Sequence, residues 1–251
     1  VAGVEIKTPR FPFGGQKTIY IGGGTYSTSR RARVGQSTTI NRSMYDLGQD
    51  FDDISVDPGT NILISGPPLT GKRRLAMDIL AHGAANGEGS VIVTTRDSSD
   101  RVLADFRSRL LDPDGADLGV VDCVTQHQGR SASDTEVVKY ASSPVDMTGI
   151  GIKFSEFVEE FYSQRDVRKN RVLMDSLSTL LMYSDLQTVF RFMHVFTSRI
   201  EDADALGVHV IESTAHDAES MNTMKQLFDG VVEVSESRQL SVQLPESNLT
   251  P

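Results

Sequence analysis

The sequence is poor in cysteine and has no long apolar segment. Its single cysteine, Cys123, excludes an intramolecular disulfide and a metal site built from four cysteines. No apolar run approaches the length of a membrane-spanning helix, and the first residues lack the apolar core of a signal peptide. These absences favour a reduced, cytoplasmic setting, and we expect no membrane attachment.

Lysine is also scarce for a chain with this many charges. Arg outnumbers Lys 18 to 7 and Asp outnumbers Glu 22 to 12, which gives 25 basic and 34 acidic side chains and a net charge of −9. Such a surface repels nucleic acid, so DNA is an unfavoured partner despite short basic stretches at residues 30–33 and 165–171. Few lysines and many aspartates are typical of surfaces that stay hydrated in high salt. An ordinary acidic cytoplasmic protein is the alternative.

The first 43 residues differ in composition from the rest of the chain. They are rich in Gly, Ser, Thr and Arg, and only residues 17–21 have the pattern of a strand. We expect residues 1–43 to form an extension and residues 44–251 to form the folded domain. Since Met44 directly precedes that domain, one hypothesis is that the natural chain starts there. A native flexible tail or a small added hairpin is the alternative.

From residue 44 onward, strand and helix patterns alternate. This order predicts an α/β fold with a mostly parallel sheet and helices on both faces. A polar, non-periodic stretch at residues 125–144 is predicted to be a long loop. The predicted strands are residues 61–65, 90–95, 118–123, 171–175 and 208–212, followed by a closing antiparallel hairpin of 230–234 and 239–243. The predicted helices are residues 74–84, 99–110, 150–164, 185–205 and 217–228.

A glycine-rich segment between the first predicted strand and helix has the pattern of a phosphate-binding loop, with one exception. Gly66, Gly71 and Lys72 have the spacing G-x-x-x-x-G-K-[S/T], but Arg73 replaces the hydroxyl residue that ligates Mg²⁺. The N-terminus of the following helix would face the anion. An ordinary strand–turn–helix connection is the alternative, although it leaves Lys72 unexplained. The residues predicted to bind the ligand are Gly66, Pro67, Pro68, Leu69, Thr70, Gly71, Lys72, Arg73 and Arg74.

An acidic residue that could complete the site follows a later strand. Asp175 ends the apolar run of residues 171–175, and ligands of open α/β sheets bind outside the carboxyl ends of the strands. Ser176 and Ser178 could partly replace the missing hydroxyl, or could serve only a turn. His216 could sense a phosphate, but the His216-Asp217 pair fits a helix cap better.

Together these segments resemble the RecA superfamily, and within it the KaiC-like ATPases, particularly their single-domain forms in halophilic archaea. The resemblance covers roughly residues 54–243 and implies a RecA-type core, ATP as the ligand and self-association into a ring or filament. A regulatory protein partner is the alternative to self-association. The likeness is carried by residues 58–66, the loop itself, and residues 91–95, 171–178 and 228–234.

Three departures from this family concern hydrolysis. The family places a catalytic acid just after the second strand, where this chain has Arg96, which cannot accept a proton, and then Asp97. The metal-ligating hydroxyl is missing, and the last strand lacks the cations that reach a neighbouring subunit's phosphates. By resemblance, Asp97 and Asp175 are the candidate catalytic acids, and Asp175 is the candidate Mg²⁺ ligand.

These departures predict an ATP-binding regulatory protein with a degenerate hydrolytic site, acting as a switch or as an assembly or signalling module. A weak ATPase activity is compatible with this interpretation. Two alternatives stay open: an active ATPase of the KaiC or RecA type, and a structural subunit whose phosphate loop is vestigial.

Overall fold

The computed structural model describes residues 17–20, 44–52 and 54–245. Its strands are β1 (Lys17–Tyr20), β2 (Tyr45–Asp46), β3 (Ser55–Val56), β4 (Asn61–Gly66), β5 (Gly89–Thr94), β6 (Leu118–Asp122), β7 (Val138–Tyr140), β8 (Asn170–Asp175), β9 (Leu206–Glu212), β10 (Gly230–Val234) and β11 (Gln239–Gln243). Its helices are α1 (Lys72–Ala85), α2 (Ser99–Arg107), α3 (Met147–Gln164), α4 (Leu177–Tyr183), α5 (Leu186–Asp202) and α6 (Ala218–Lys225). Within the described part of the chain, no helix is both long and apolar enough to cross a membrane.

Nine of the strands form one sheet, in the order β1-β11-β10-β4-β9-β8-β5-β6-β7. All neighbours from β10 to β7 are parallel. Every residue of β4, β5 and β8 is buried, as expected of apolar strands covered on both faces. Residues of α1 and α2 pack on one face and residues of α3, α4, α5 and α6 on the other. The predicted fold class is confirmed.

The predicted C-terminal hairpin is confirmed and extends the main sheet. Val232 of β10 pairs with Val242 of β11 in antiparallel register, while β10 itself runs parallel to β4. The strand predicted within the N-terminal extension is present as β1 and pairs antiparallel with β11. The rest of that extension, residues 1–16 and 21–43, lies outside the described residues.

Two elements are absent from the sequence predictions. Residues 125–144 are not one long loop, because the three-residue strand β7 pairs parallel with β6, with Val138 opposite Val120. A strand this short contains too few residues to show an alternating pattern. The short helix α4 directly follows β8 and was not predicted. The predicted helix of residues 99–110 ends at Arg107, and that of residues 217–228 ends at Lys225.

Aspartate caps fix the start of three helices that pack on one face of the sheet. The side chains of Asp146, Asp185 and Asp217 accept hydrogen bonds from backbone amides in the first turns of α3, α5 and α6. Such caps satisfy amides that have no acceptor inside the helix. The helix-cap interpretation of Asp217 is therefore confirmed.

A buried charged cluster lies near the amino end of β8. Arg171 is 1% exposed; its Nε donates to Glu88 Oε2 at 2.6 Å and its Nη1 donates to the carbonyl of Ile79 at 2.7 Å. Lys169 pairs with the other oxygen of Glu88 at 2.9 Å and lies over the ring of Tyr45. Each charge in this cluster has its partner inside the fold.

Candidate functional site

The predicted phosphate-binding loop connects β4 to α1 and depends on its two glycines. Gly66 lies so close to β10 that a Cβ there would stand 2.3 Å from the carbonyl oxygen of Val234. Gly71 has a φ of 96° and immediately precedes α1, a backbone region that glycine adopts without strain. A Cβ on Gly71 would meet nothing within 4 Å, so the space beside this residue is open. The glycines thus set both the close packing of the loop and its turn into the helix.

The loop presents the N-terminus of a 14-residue helix to this open space. Thr70 closes the turn by donating from Oγ1 to the carbonyl of Pro67 at 2.9 Å. The first bond of α1 joins the amide of Leu75 to the carbonyl of Gly71, so the preceding amides have no acceptor within the helix. Free amides and the positive end of the helix dipole make this position suitable for an anion. Leu69 is 95% exposed at the tip of the loop.

Lys72 is held beneath the loop by two acceptors. Its side chain is 3% exposed, and its Nζ donates to the carbonyl of Pro67 and to Glu212 Oε2 at 2.9 Å. Glu212 ends β9, which neighbours β4 in the sheet. Sequence reasoning missed Glu212, since an acidic residue at a strand end carries no pattern of its own. The ammonium is therefore fixed at the base of the loop by the adjacent strand.

Arg73 joins three carboxylates from different elements. Its Nε donates to Asp175 Oδ2 and its Nη1 to Asp105 Oδ2, both at 2.6 Å, while its Nη2 lies 3.8 Å from Asp97 Oδ2. The predicted residues Arg73, Asp97 and Asp175 are thus brought together at the carboxyl ends of β5 and β8. Asp105 lies on α2 and was missed, because no motif distinguishes it from the other polar residues of that helix.

Burial and pairing act against each other in the Arg73–Asp175 pair. Burial raises the pKa of Asp175, which is fully inaccessible, although the Arg73 guanidinium opposes this shift. Burial works against the charged form of Arg73, but Asp175 and Asp105 outweigh it and raise the pKa of the guanidinium. Asp175 Oδ1 and Arg73 Nη2 are both buried without a hydrogen-bond partner. The pair is therefore mutually dependent and still has an unused acceptor and an unused donor.

Arg96 and Asp97, the second and third residues after β5, are both engaged with opposite charges. Arg96 is about half exposed, and its Nη1 lies 4.0 Å from Glu212 Oε1. Asp97 Oδ1 accepts from Arg101 at 2.9 Å, and its backbone is bonded in both directions to the hydroxyl of Thr94. Asp97 thus lies between the cations of Arg73 and Arg101 rather than free beside the loop.

The donor set near Asp175 does not fit Mg²⁺. This ion needs oxygen ligands in near-octahedral geometry, but Arg73 stands at the hydroxyl position and occupies one oxygen of Asp175. Two unit charges 4 Å apart interact by about 4 kcal/mol at an effective dielectric constant of about 20. The guanidinium alone would therefore repel a divalent ion at that distance by about 8 kcal/mol, which opposes the attraction of Asp175 and Asp105. Among the described residues, no group of three or more His, Cys, Asp or Glu side chains is arranged to hold a metal ion.

Ser178, on α4, is hydrogen-bonded both to the end of β9 and to the loop that follows β9. Its Oγ accepts from the amide of Glu212 at 2.8 Å and lies 3.0 Å from His216 Nε2. Burial lowers the pKa of His216, so the neutral ring is favoured. The backbone amide of Ser176, directly after β8, donates to the hydroxyl of Thr95, directly after β5. This bond links the carboxyl ends of the two strands. Arg74 is 73% exposed and pairs with Asp78 along α1.

A cleft of about 540 Å³ adjoins the first residues of the loop. The loop contributes Gly66 and Pro67 to its wall, and most of the remaining wall comes from α6 and from the β10–β11 hairpin. The cleft is large enough for the nucleoside part of a nucleotide.

Comparisons with known proteins agree with this architecture. A family model described as a family of unknown function (DUF7504) matches residues 59–234. The comparison with curated proteins gives no match. Among solved structures, the chain is similar to a KaiC-like protein from the hyperthermophilic archaeon Pyrococcus horikoshii OT3, with a TM-score of 0.53 and 12% sequence identity over 84% of this chain and 88% of that one. At this identity the likeness establishes the fold alone, which is RecA-like and KaiC-like.

Proposed function

Because the chain belongs to the DUF7504 family, whose function is unknown, and has a KaiC-like fold, we propose that it is a regulatory protein that binds ATP and hydrolyses it slowly or not at all. The observation that carries this proposal is the 2.6 Å bond between Arg73 and Asp175. It engages the acid that would serve a metal and leaves the glycine loop open.

ATP binding is supported by the loop and its surroundings. The amides at the start of α1 and the ammonium of Lys72 would hold the phosphates, and the adjoining cleft would take the nucleoside. The ammonium of Lys72 has three N–H donors, and the carbonyl of Pro67 and the carboxylate of Glu212 use two of them. The third donor would bind a phosphate oxygen while Pro67 and Glu212 keep the ammonium at the base of the loop.

Loss of hydrolysis is supported by the state of the candidate catalytic groups. Phosphoryl transfer depends on cationic stabilisation of the spreading charge and on a positioned nucleophile. Asp175 is bound by Arg73, Asp97 lies between Arg73 and Arg101, and the preceding position is an arginine. Loss of one stabilising group costs about 10²–10³ in rate, so several changes together would leave turnover near background.

The proposal extends to the cellular role. ATP binding would act through the conformation or the assembly of the chain, either in a ring or filament of its own copies or with a regulatory protein partner. The excess of acidic side chains supports a cytoplasmic setting of high salt and argues against DNA as the partner.

Isothermal titration calorimetry with ATP, performed at high and at low salt, tests the binding. We expect a saturable signal with one nucleotide per chain. A wild-type protein that folds but gives no signal in any buffer would favour the vestigial-loop alternative and refute the proposed function.

Steady-state phosphate release tests the second half of the proposal. We expect no release above background. Turnover of about one per second that disappears in Lys72→Ala would instead identify an active ATPase.

A further inference from the structure

We infer that this site binds nucleotide without a divalent cation, with the guanidinium of Arg73 in the position that a metal would take, an inference that rests on the ATP binding proposed above. The inference states that Arg73, and not a metal ion, supplies the positive charge beside the nucleotide.

The first support is the position of Arg73 relative to Asp175. The Nε–Oδ2 distance of 2.6 Å places a permanent positive charge directly on the carboxylate that ends β8. Arginine stays protonated at any working pH, and Asp175 further raises its pKa. A cation built into the chain therefore neutralises the charge of this acid in the absence of a metal ion.

The second support is the way Arg73 is fixed from its other side. Asp105 accepts from Arg73 Nη1 through Oδ2 and from Arg109 Nη2 through Oδ1, at 2.6 and 2.8 Å. Arg109 is bonded in turn to Asp78 of α1. Burial opposes ionisation of Asp105, but its bonds to Arg109 and Arg73 outweigh this effect and lower its pKa. The guanidinium is thus positioned by carboxylates on β8 and on α2.

The third support is an unused donor. Arg73 Nη2 is buried and has no hydrogen-bond partner, although the arginine as a whole is 23% exposed. A buried donor without an acceptor is unfavourable by about 1–3 kcal/mol as a general rule. Asp97 Oδ2 lies 3.8 Å from this nitrogen, beyond hydrogen-bonding distance. Arg73 lies in the first turn of α1, so we expect a phosphate oxygen bound at this helix terminus to supply the missing acceptor.

The decisive measurement is therefore the affinity for ATP with Mg²⁺ compared with the affinity without it. ATP binding to the wild-type chain is measured by calorimetry in excess EDTA and in excess Mg²⁺. We expect ATP to bind no more tightly in Mg²⁺ than in EDTA, because ATP must release its bound Mg²⁺ before it enters a site that holds no metal. Binding that is tenfold or more tighter with Mg²⁺, about 1.4 kcal/mol or more, would overturn the inference and leave the proposed function standing.

A substitution that restores the hydroxyl provides the opposite case. In Arg73→Thr we expect ATP binding in EDTA to weaken by about tenfold or more and Mg²⁺ to recover it. Bound Mn²⁺, detected by electron paramagnetic resonance, should appear in the Arg73→Thr complex with ATP and not in the wild-type complex. Arg107→Thr, on an exposed position of α2, is the matched control and should behave as wild type.

The outcomes separate the two claims. Mn²⁺ held by the wild-type ATP complex would refute the metal-free site but not ATP binding. No ATP binding by the folded wild-type chain in either buffer would refute both. Circular dichroism confirms that Arg73→Thr is folded, and the wild-type comparison decides the question without that variant.

Discussion

β8 carries a buried arginine near its amino end and a buried aspartate at its carboxyl end, and the two differ in how completely their polar atoms are paired. Arg171, near the amino end, is buried against Glu88 and the carbonyl of Ile79, and neither charged residue has a buried polar atom left without a partner. Asp175, at the carboxyl end, is equally buried. Its partner Arg73 lies in the first turn of α1, directly after the glycine loop, and is 23% exposed. One oxygen of Asp175 and one nitrogen of Arg73 lack partners.

This difference suggests a structural role for the amino end of β8 and a ligand-binding role for its carboxyl end. Buried polar groups in native proteins nearly always have partners, and each exception needs an explanation. The Arg171 cluster completes its bonds within the fold, which is the arrangement of a structural element. The Asp175 cluster is incomplete and lies where open α/β sheets bind ligands. The amino end is therefore expected to govern stability, and the carboxyl end to govern binding.

The largest expected effect is at the amino end. Arg171→Ala leaves the carboxylate of Glu88 buried beside only Lys169, and breaking a buried pair in this way costs about 3–5 kcal/mol. We expect the free energy of unfolding, measured by urea denaturation, to fall by about this amount. ATP affinity of the molecules that remain folded should be unchanged.

Arg191→Ala is the matched control, because Arg191 is exposed on α5 and arginine and alanine both favour helix. Its effect should stay within about 0.5 kcal/mol. If Arg171→Ala destabilised the protein no more than this control, the charged cluster would not be a structural element.

The next effect is on ligand affinity at the carboxyl end. Lys72→Ala removes the only side-chain cation held at the base of the loop by Glu212 and Pro67 in the described residues. We expect ATP to bind about 100-fold more weakly, or about 2.7 kcal/mol, by calorimetry. Stability should change less than in Arg171→Ala, because the remaining Glu212 is 23% exposed and can be hydrated. A larger loss of stability than of affinity would reverse the comparison between the two ends.

A smaller effect on stability is expected from the Arg73–Asp175 pair. Arg73→Thr leaves the carboxylate of Asp175 unpaired, but the guanidinium that it removes is 23% exposed, so water can enter and hydrate the carboxylate. We therefore expect a cost of about 1–3 kcal/mol, below that of Arg171→Ala. Combining Arg73→Thr with Asp175→Asn removes that charge, so the double variant should regain most of the loss. The coupling is read from urea denaturation of both single variants and the double variant. Additive losses would mean that the two side chains act independently.

The sequence predicts the site best where its residues are close together in the chain. The glycine loop, Lys72 and the irregular Arg73 lie within one local motif, and β8 is an uninterrupted apolar run that ends in Asp175. The partners of these residues could not be predicted, because Glu212 lies 140 residues from Lys72 and Asp105 lies 32 residues from Arg73. Only the folded sheet and α2 bring such distant acids to the loop. The predictions that Arg74 binds ligand and that the chain self-associates stay predictions.

A histidine in the middle of β9 tests whether burial alone, without a ligand site, makes the stability of the protein depend on pH. His209 lies in β9 and is fully buried, and its Nε2 is 3.0 Å from Asn61 Oδ1. The amide nitrogen of Asn61 donates elsewhere, so Nε2 carries the proton and donates. Nδ1 has no partner. Burial lowers the pKa of His209 from 6.5 to about 3, and the neutral ring is the folded form.

Between these two pKa values the unfolded chain binds a proton that the folded chain does not, so His209 makes the protein less stable as the pH falls through this window. We expect His209 to account for a loss of about 1 kcal/mol between pH 6 and pH 5, measured by urea denaturation at each pH. His209→Gln should remove this portion of the slope even though it lowers stability at neutral pH, whereas His194→Gln, on the exposed face of α5, should keep the wild-type slope. An unchanged slope in His209→Gln would place the pH dependence at other groups and leave the interior of the sheet without a titrating residue in this range.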